Sequence, residues 1–178
     1  MDFISEIDIS WSLFLDRDGV INDRIVGGYV QNIASFHLLE GVMDAILMLK
    51  QRFGRIFVVT NQQGIGKKIM TEDDLKRIHN YMETKLSTTF DGIYYSPFLE
   101  CENNLMRKPN PGMALESKKN FPEVDFTKSI MVGDSISDIQ FGKNLHMKTV
   151  YISKQEENID ADLICASLYD FAKMISPQ

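Results

Sequence analysis

The sequence predicts an α/β fold: a doubly wound parallel sheet flanked by helices, with no large cap domain. Three observations predict it. Short apolar, β-branched runs alternate with stretches that carry apolar residues at helical spacing. Two of the apolar runs, Leu13-Phe14-Leu15 and Ile130-Met131-Val132, end abruptly in carboxylates. The chain has 178 residues, 44% of them hydrophobic, which fits one domain over 1–178 with enough core to fold unaided.

The elements follow in order. The run from Ser12 to Asp16 reads as the first strand. From Val42 to Phe53, residues Val42, Ala45, Ile46, Leu49 and Phe53 recur on one helical face. Ile56-Phe57-Val58-Val59-Thr60 is a buried strand. Thr71 to Leu86 is a helix, with Thr71 as N-cap and Glu72, Asp73 and Asp74 favourable in its first turn. Ile93-Tyr94-Tyr95 is a short strand, and Pro111 to Lys119 a helix with proline in its first turn. Ile130-Met131-Val132 is another buried strand, followed by a helix from Ser137 to Leu145. Thr149 to Ile152 and Asp162 to Cys165 are the last strands, and Ser167 can cap a closing helix from Leu168 to Ile175. Two connections are long, 23–37 with Gly27-Gly28 and 96–110. Both are too short for a separate cap domain, so an open site is expected.

Composition narrows the function classes. No apolar run approaches a membrane span. The first residues lack a signal peptide's basic region, so the expected compartment is the cytoplasm. Cys101 and Cys165 are far apart and show no paired metal spacing, and a disulfide is not expected. His37 and His146 likewise lack metal-site spacing, and His79 reads as a surface or boundary residue. The net charge of -6 argues against nucleic acid as a partner. It leaves room for a small anionic substrate, because local cations decide that. Oligomeric state is not legible.

The chemistry concentrates at strand ends. Asp16 and Asp18 lie two positions apart on an extended segment, so they point roughly the same way. They can share a divalent cation or divide the work of nucleophile and acid/base. A solvated acidic turn is the plainer alternative. A calcium loop is excluded, since Gly19 follows Asp18 directly and Val20 and Ile21 are apolar. At the end of the second strand, Thr60 and the amides after it can hold a phosphate oxygen, or simply close an Asx-type turn. Gly64-Ile65-Gly66-Lys67-Lys68 is not a P-loop, because its glycines are too close and Lys68 replaces the Ser/Thr. Both lysines are expected in solvent. Pro109 keeps Lys108 extended, where it can neutralise a phosphate and an attacking carboxylate, and Arg107 can grip another oxygenated group; standing alone, the segment reads as an ordinary basic surface turn. Asp134 can complete an oxygen-rich magnesium site with Asp16 and the Asp18 carbonyl. Asp138 either orients a ligand or Lys108, or serves as a helix N-terminal acid.

Taken in order, Asp16-x-Asp18-Gly19, Thr60-Asn61, Lys108 and Gly133-Asp134-x-x-x-Asp138 resemble the four motifs of haloacid-dehalogenase-like phosphatases. The fuller runs Phe14 to Asn22, Thr60 to Ile65, Asp91 to Tyr95, Arg107 to Met113 and Met131 to Asp134 resemble the small capless branch. That branch includes heptose 1,7-bisphosphate phosphatase and the histidinol-phosphate phosphatase domain. Gly28-Tyr29-Val30 fits its substrate loop. The resemblance implies a Rossmann-like core and Mg²⁺-dependent hydrolysis of a small phosphorylated metabolite, such as a sugar phosphate. It also implies Asp16 as nucleophile and Asp18 as acid/base. Arg17, Asn22, Tyr29, Thr60, Asn61, Gln62, Arg107 and Lys108 would bind substrate or phosphate. Asp16, Asp18 and Asp134 would hold the metal, supported by Ser135 and Asp138. Asp18 needs a proton at neutral pH, so its pKa is expected to be raised.

Two departures stand out. Many members of the family it resembles carry a zinc loop of cysteines and a histidine between the tyrosine strand and Arg107. Here the segment 96–104 has one cysteine and no histidine, so no structural zinc is expected. Relatives also commonly have a basic residue after Asp134, where this chain has Ser135. Histidinol phosphate is the competing substrate. A noncatalytic phosphosugar-binding protein is the competing class, disfavoured because both Asp16 and Asp18 are present.

Overall fold

The computed structural model describes residues 3–155 and 158–175. Six strands form one sheet: β1 (Ser12–Leu15), β2 (Arg55–Asn61), β3 (Gly92–Ser96), β4 (Ser129–Gly133), β5 (Lys148–Ile152) and β6 (Leu163–Cys165). All pair in parallel, in the order β3-β2-β1-β4-β5-β6. The chain therefore builds outward from β1 to β3, then returns to β4 on the other side of β1. The crevice at such a reversal, beyond the carboxyl ends of β1 and β4, is where open α/β sheets bind ligands.

Side chains alternate across the sheet as period-two geometry requires. Leu13 and Leu15 join a core with α1 (Val42–Lys50), α2 (Glu72–Leu86) and α5 (Leu168–Ile175). Phe14, between them, packs on the opposite face with α3 (Gly112–Asn120) and α4 (Ile136–Asn144). Its ring lies 5.0 Å from that of Phe57. The β1 residues are fully buried on both faces, which is why this strand reads as an unbroken apolar run.

Boundaries differ from the sequence expectation by local capping. Helix α1 stops at Lys50, because Gln51 and Arg52 donate three residues back, to Met48 and Leu49. Phe53 still turns into the core. Thr71 caps α2 through a reciprocal capping box with Asp74. Pro111 caps α3 from outside its first turn. Helix α4 starts earlier than Ser137, because Ser135 and Asp138 form a capping box. The 23–37 connection holds a 3₁₀ turn at Ile33–Ser35, capped by Asn32, and the 96–110 connection another at Glu100–Glu102. Among the described residues, no helix is long and apolar enough to cross a membrane.

Candidate active site

An open cleft lies at the carboxyl ends of β1, β2 and β4, lined by Asp16, Asp18, Thr60, Asn61, Lys108 and Asp134 among others. Asp16 continues directly from β1, and its amide donates to Val132 of β4 at 2.9 Å. The ends of β1 and β4 are thus in register, which sets Asp16 beside Asp134.

Lys108 is the electrostatic centre. Its ammonium is buried and donates to Asp16 Oδ1 at 2.8 Å and to the Val59 carbonyl at 2.7 Å. Asp138 Oδ1 lies 2.6 Å away as an ion pair. Burial opposes the charge of Lys108, but Asp138 and Asp16 outweigh it and hold its pKa above the ordinary lysine value. The Asn61 amide fixes the backbone beneath, donating to the Lys108 carbonyl at 3.1 Å and accepting from its N–H at 3.0 Å. Asp138 serves both roles open to it from sequence, accepting from Ser135 at the start of α4 and pairing with Lys108. Gly133 makes room, since a Cβ there would stand 2.1 Å from that of Asp138.

Burial raises the pKa of Asp16 to about 7 against the pull of Lys108, with Asp138, Asp134 and Asp18 adding to the rise. Asp134 is also raised, by burial and then by Asp138, while Arg24 opposes from 3.1 Å at Oδ2. Asp134 Oδ1 is buried without a hydrogen-bond partner. Oxygens of Asp16, Asp134 and Asp138 lie within 4.8 Å of one another. Such hard-oxygen crowding with an unsatisfied carboxylate atom suits a magnesium-sized cation. Asp138 is already committed to Lys108 and Ser135, which leaves Asp16 and Asp134 as the side chains for that cation.

Asp18 departs from expectation. Burial would raise its pKa, but Arg17, Asn22 and Gln62 overcome it and hold the carboxyl below the usual range. Arg17 Nη2 donates to both oxygens at 2.9 and 3.0 Å, Asn22 Nδ2 to one at 2.9 Å and Gln62 Nε2 to the other at 2.8 Å. Arg17, Asn22 and Gln62, expected to touch substrate, are instead buried behind Asp18 and are not part of the cleft lining. Each gives at least one donor to a partly buried carboxylate, which offsets the cost of keeping it ionised there.

Thr60, Tyr29, Arg107 and Ser135 do line the cleft. Thr60 Oγ1 accepts from Gln62 at 2.9 Å, and Arg107 donates to the Phe98 carbonyl at 3.3 Å. Lys67 and Lys68 are exposed, as expected, but Lys67 also donates to the Tyr29 hydroxyl at 2.9 Å. Sequence reasoning missed two residues. Arg24 reaches the cleft from the 23–37 connection with no motif to mark it. His79, expected near the surface, is only 7% exposed and lies 3.2 Å from Arg17 Nη1. Its helical spacing with Leu75 and Met82 was the available signal.

A carboxylate at the end of β1, joined through buried Lys108 to Asp138 in the first turn of α4 and set beside Asp134 at the reversal of the sheet, fits the haloacid-dehalogenase-like phosphatases. A family model described as polynucleotide kinase 3 phosphatase matches residues 15–172. The D-glycero-alpha-D-manno-heptose-1,7-bisphosphate 7-phosphatase of Mycobacterium bovis is 37% identical over 172 residues, covering 91% of this chain and 90% of that protein. The D-glycero-beta-D-manno-heptose-1,7-bisphosphate 7-phosphatase of Escherichia coli is 34% identical over 189 residues, covering 94% of each. The crystal structure of D,D-heptose 1,7-bisphosphate phosphatase from B. bronchiseptica, complexed with magnesium and phosphate, shares the fold. Its TM-score is 0.81 at 23% identity, over 93% of this chain and 97% of that one. The chain belongs to this haloacid-dehalogenase-like family and is a phosphoric monoester hydrolase.

Proposed function

We propose that this phosphatase is Mg²⁺-dependent and removes one phosphate from a sugar bisphosphate of the heptose 1,7-bisphosphate type, through an aspartyl-phosphate on Asp16. The convergence of Asp16, Asp18, Lys108 and Asp134 on one open cleft carries this reading. The named activity of relatives matched over nine-tenths of the chain supports the substrate.

Asp16 attacks phosphorus and displaces the sugar alkoxide, which takes a proton from Asp18. Water then attacks the acyl phosphate, giving its proton to Asp18 and releasing inorganic phosphate and free Asp16. Asp18 in its nest of three donors is set for this second step as a base. For the first step it must carry a proton, so the donors around it must slacken. Lys108 neutralises the phosphate oxygens, and Thr60 with the backbone around Asn61 holds them from the β2 side. Arg107 and Tyr29, on the cleft wall, meet the rest of the substrate. Asp16, Asp134 and the Asp18 carbonyl would hold the cation, which supplies charge neutralisation between nucleophile and phosphate. Like charges at about 4 Å repel by roughly 4 kcal/mol at an effective dielectric near 20, so Asp16 needs that neutralisation to approach.

The test is phosphate release from heptose 1,7-bisphosphate, histidinol phosphate and a panel of other sugar phosphates, each with Mg²⁺ and with chelator, for wild type and Asp16→Asn. The bisphosphate should give the highest kcat/KM, and chelation or D16N should abolish turnover. Full turnover in chelator, or by D16N, rejects the mechanism. Faster hydrolysis of histidinol phosphate rejects the substrate alone.

A further inference from the structure

Arg17 heads the fully buried side chains by size, and it carries a charge. A buried guanidinium needs hydrogen-bond partners, and since Nε of Arg17 has none, the two terminal nitrogens carry its contacts. One prong, Nη2, spans both oxygens of Asp18. The other, Nη1, meets His79 Nε2 at 3.2 Å, from helix α2 and 62 positions away in sequence. Arginine stays protonated and can only donate. His79 Nε2 must therefore be the acceptor, which places the ring proton on Nδ1 and leaves the ring neutral. Burial, then the charge of Arg17, drives the pKa of His79 down to about 3, in keeping with that assignment. Tyr95 of β3 stands edge-on, its ring 6.4 Å away.

We infer that His79 is a positioning residue for the acid–base step, setting the plane of Arg17 that holds the Asp18 carboxylate in the cleft. The inference rests on Asp18 being the acid/base of the proposed reaction. The guanidinium is planar and rigid, so fixing Nη1 fixes Nη2. Asp18 accepts two of its four hydrogen bonds from that one nitrogen. Without the acceptor on α2, Nη1 is left buried and unpaired, the fork rotates or draws in water, and Asp18 loses its orientation. Helix α2 thereby acts on the chemistry without touching substrate.

The test compares His79→Gln with His79→Asn, using the sugar phosphate that wild type hydrolyses fastest. A glutamine amide oxygen reaches the place of Nε2, whereas that of asparagine stops near Nδ1 and falls short of Arg17. H79N should lose roughly 10- to 100-fold in kcat, the loss typical when an outer-shell partner is removed. Its KM should stay within about twofold of wild type, and H79Q should recover to within about threefold, because only the acceptor is at issue. Circular dichroism verifies folding. Should H79N not fold, His79→Met, of similar length but lacking a comparable acceptor, takes its place. Wild-type kcat in folded H79N or H79M overturns the inference, as does an equal loss in H79Q. Asp18→Asn runs alongside. Turnover retained by D18N overturns the acid–base reading and the inference with it, whereas an inactive D18N beside an unimpaired H79N overturns the inference alone.

Discussion

Gly19 lies directly against the Asp134 carboxylate: a Cβ on Gly19 would stand 2.1 Å from Oδ2 and 2.4 Å from Cγ. Its φ of +91° is also a conformation that side chains resist. The turn after Asp18 and the end of β4 can close on each other only because this position has no side chain. Gly19→Ala should therefore push Asp134 away from Asp16 and cost about 1–3 kcal/mol in backbone strain alone. Urea unfolding should show that loss, and Mg²⁺ titration followed by calorimetry should show weakened binding. Unchanged affinity for the cation would separate Asp134 from the metal.

Asp138 is bound to both Lys108 and Ser135, and the two roles can be separated. Ser135→Ala removes only the cap and should cost about 1 kcal/mol, with Lys108 still seated. Asp138→Ala removes the cap and one of two carboxylates around a buried ammonium. It should cost about 3 kcal/mol and lower kcat at least tenfold, since Lys108 is no longer held at Asp16. Thermal unfolding and kcat of the two variants check the contrast. Equal effects would mean that Asp138 acts only as a cap.

Much of this was legible because strand ends are written locally. Asp16 and Asp134 follow apolar runs with no intervening turn, and parallel pairing then brings them together without further information. The capping box of Thr71 and Asp74 was half legible for the same reason, the N-cap threonine standing before an acidic first turn. What escaped was set by contacts across the fold. Arg17 reads as a cleft cation beside two aspartates, yet its length lets it fold back under Asp18 to a histidine on α2. Asp18 reads as a carboxyl with a raised pKa, and the three donors that reverse the shift come from positions 17, 22 and 62. The spacing of His79 with Leu75 and Met82 marks it for the buried face of α2, but nothing local names Arg17 as its partner there.

Arg24 pairs with Asp134 at 3.1 Å, from a side chain that is 56% exposed. Its guanidinium competes for the carboxylate that a cation would use. An exposed pair contributes at most about 1 kcal/mol, so Arg24→Ala should tighten Mg²⁺ binding by no more than about fivefold. Calorimetric titration without substrate isolates this effect from any contact of Arg24 with the sugar. Weaker Mg²⁺ binding in R24A would show that Arg24 orients Asp134 instead of competing for it.

The buried ring of His79 also sets a pH dependence of folding. Its pKa is about 3 in the folded protein, against about 6.5 in an unfolded chain. Between those values the unfolded state binds the extra proton, so stability rises with pH across the window. Read downward, the contribution is complete above the unfolded pKa and is lost as pH falls toward the folded one. The slope from this single group cannot exceed about 1.4 kcal/mol per pH unit. His79→Gln keeps an acceptor for Arg17 but cannot titrate, so its stability should fall less steeply than that of wild type below about pH 6.5. Urea midpoints at a series of pH values, with chelator in both samples, give the difference curve. The carboxylates of the cleft titrate in both proteins and largely cancel from it. Parallel curves for wild type and H79Q would mean that the ring takes up a proton while still folded, against the burial and the Arg17 charge that lower its pKa.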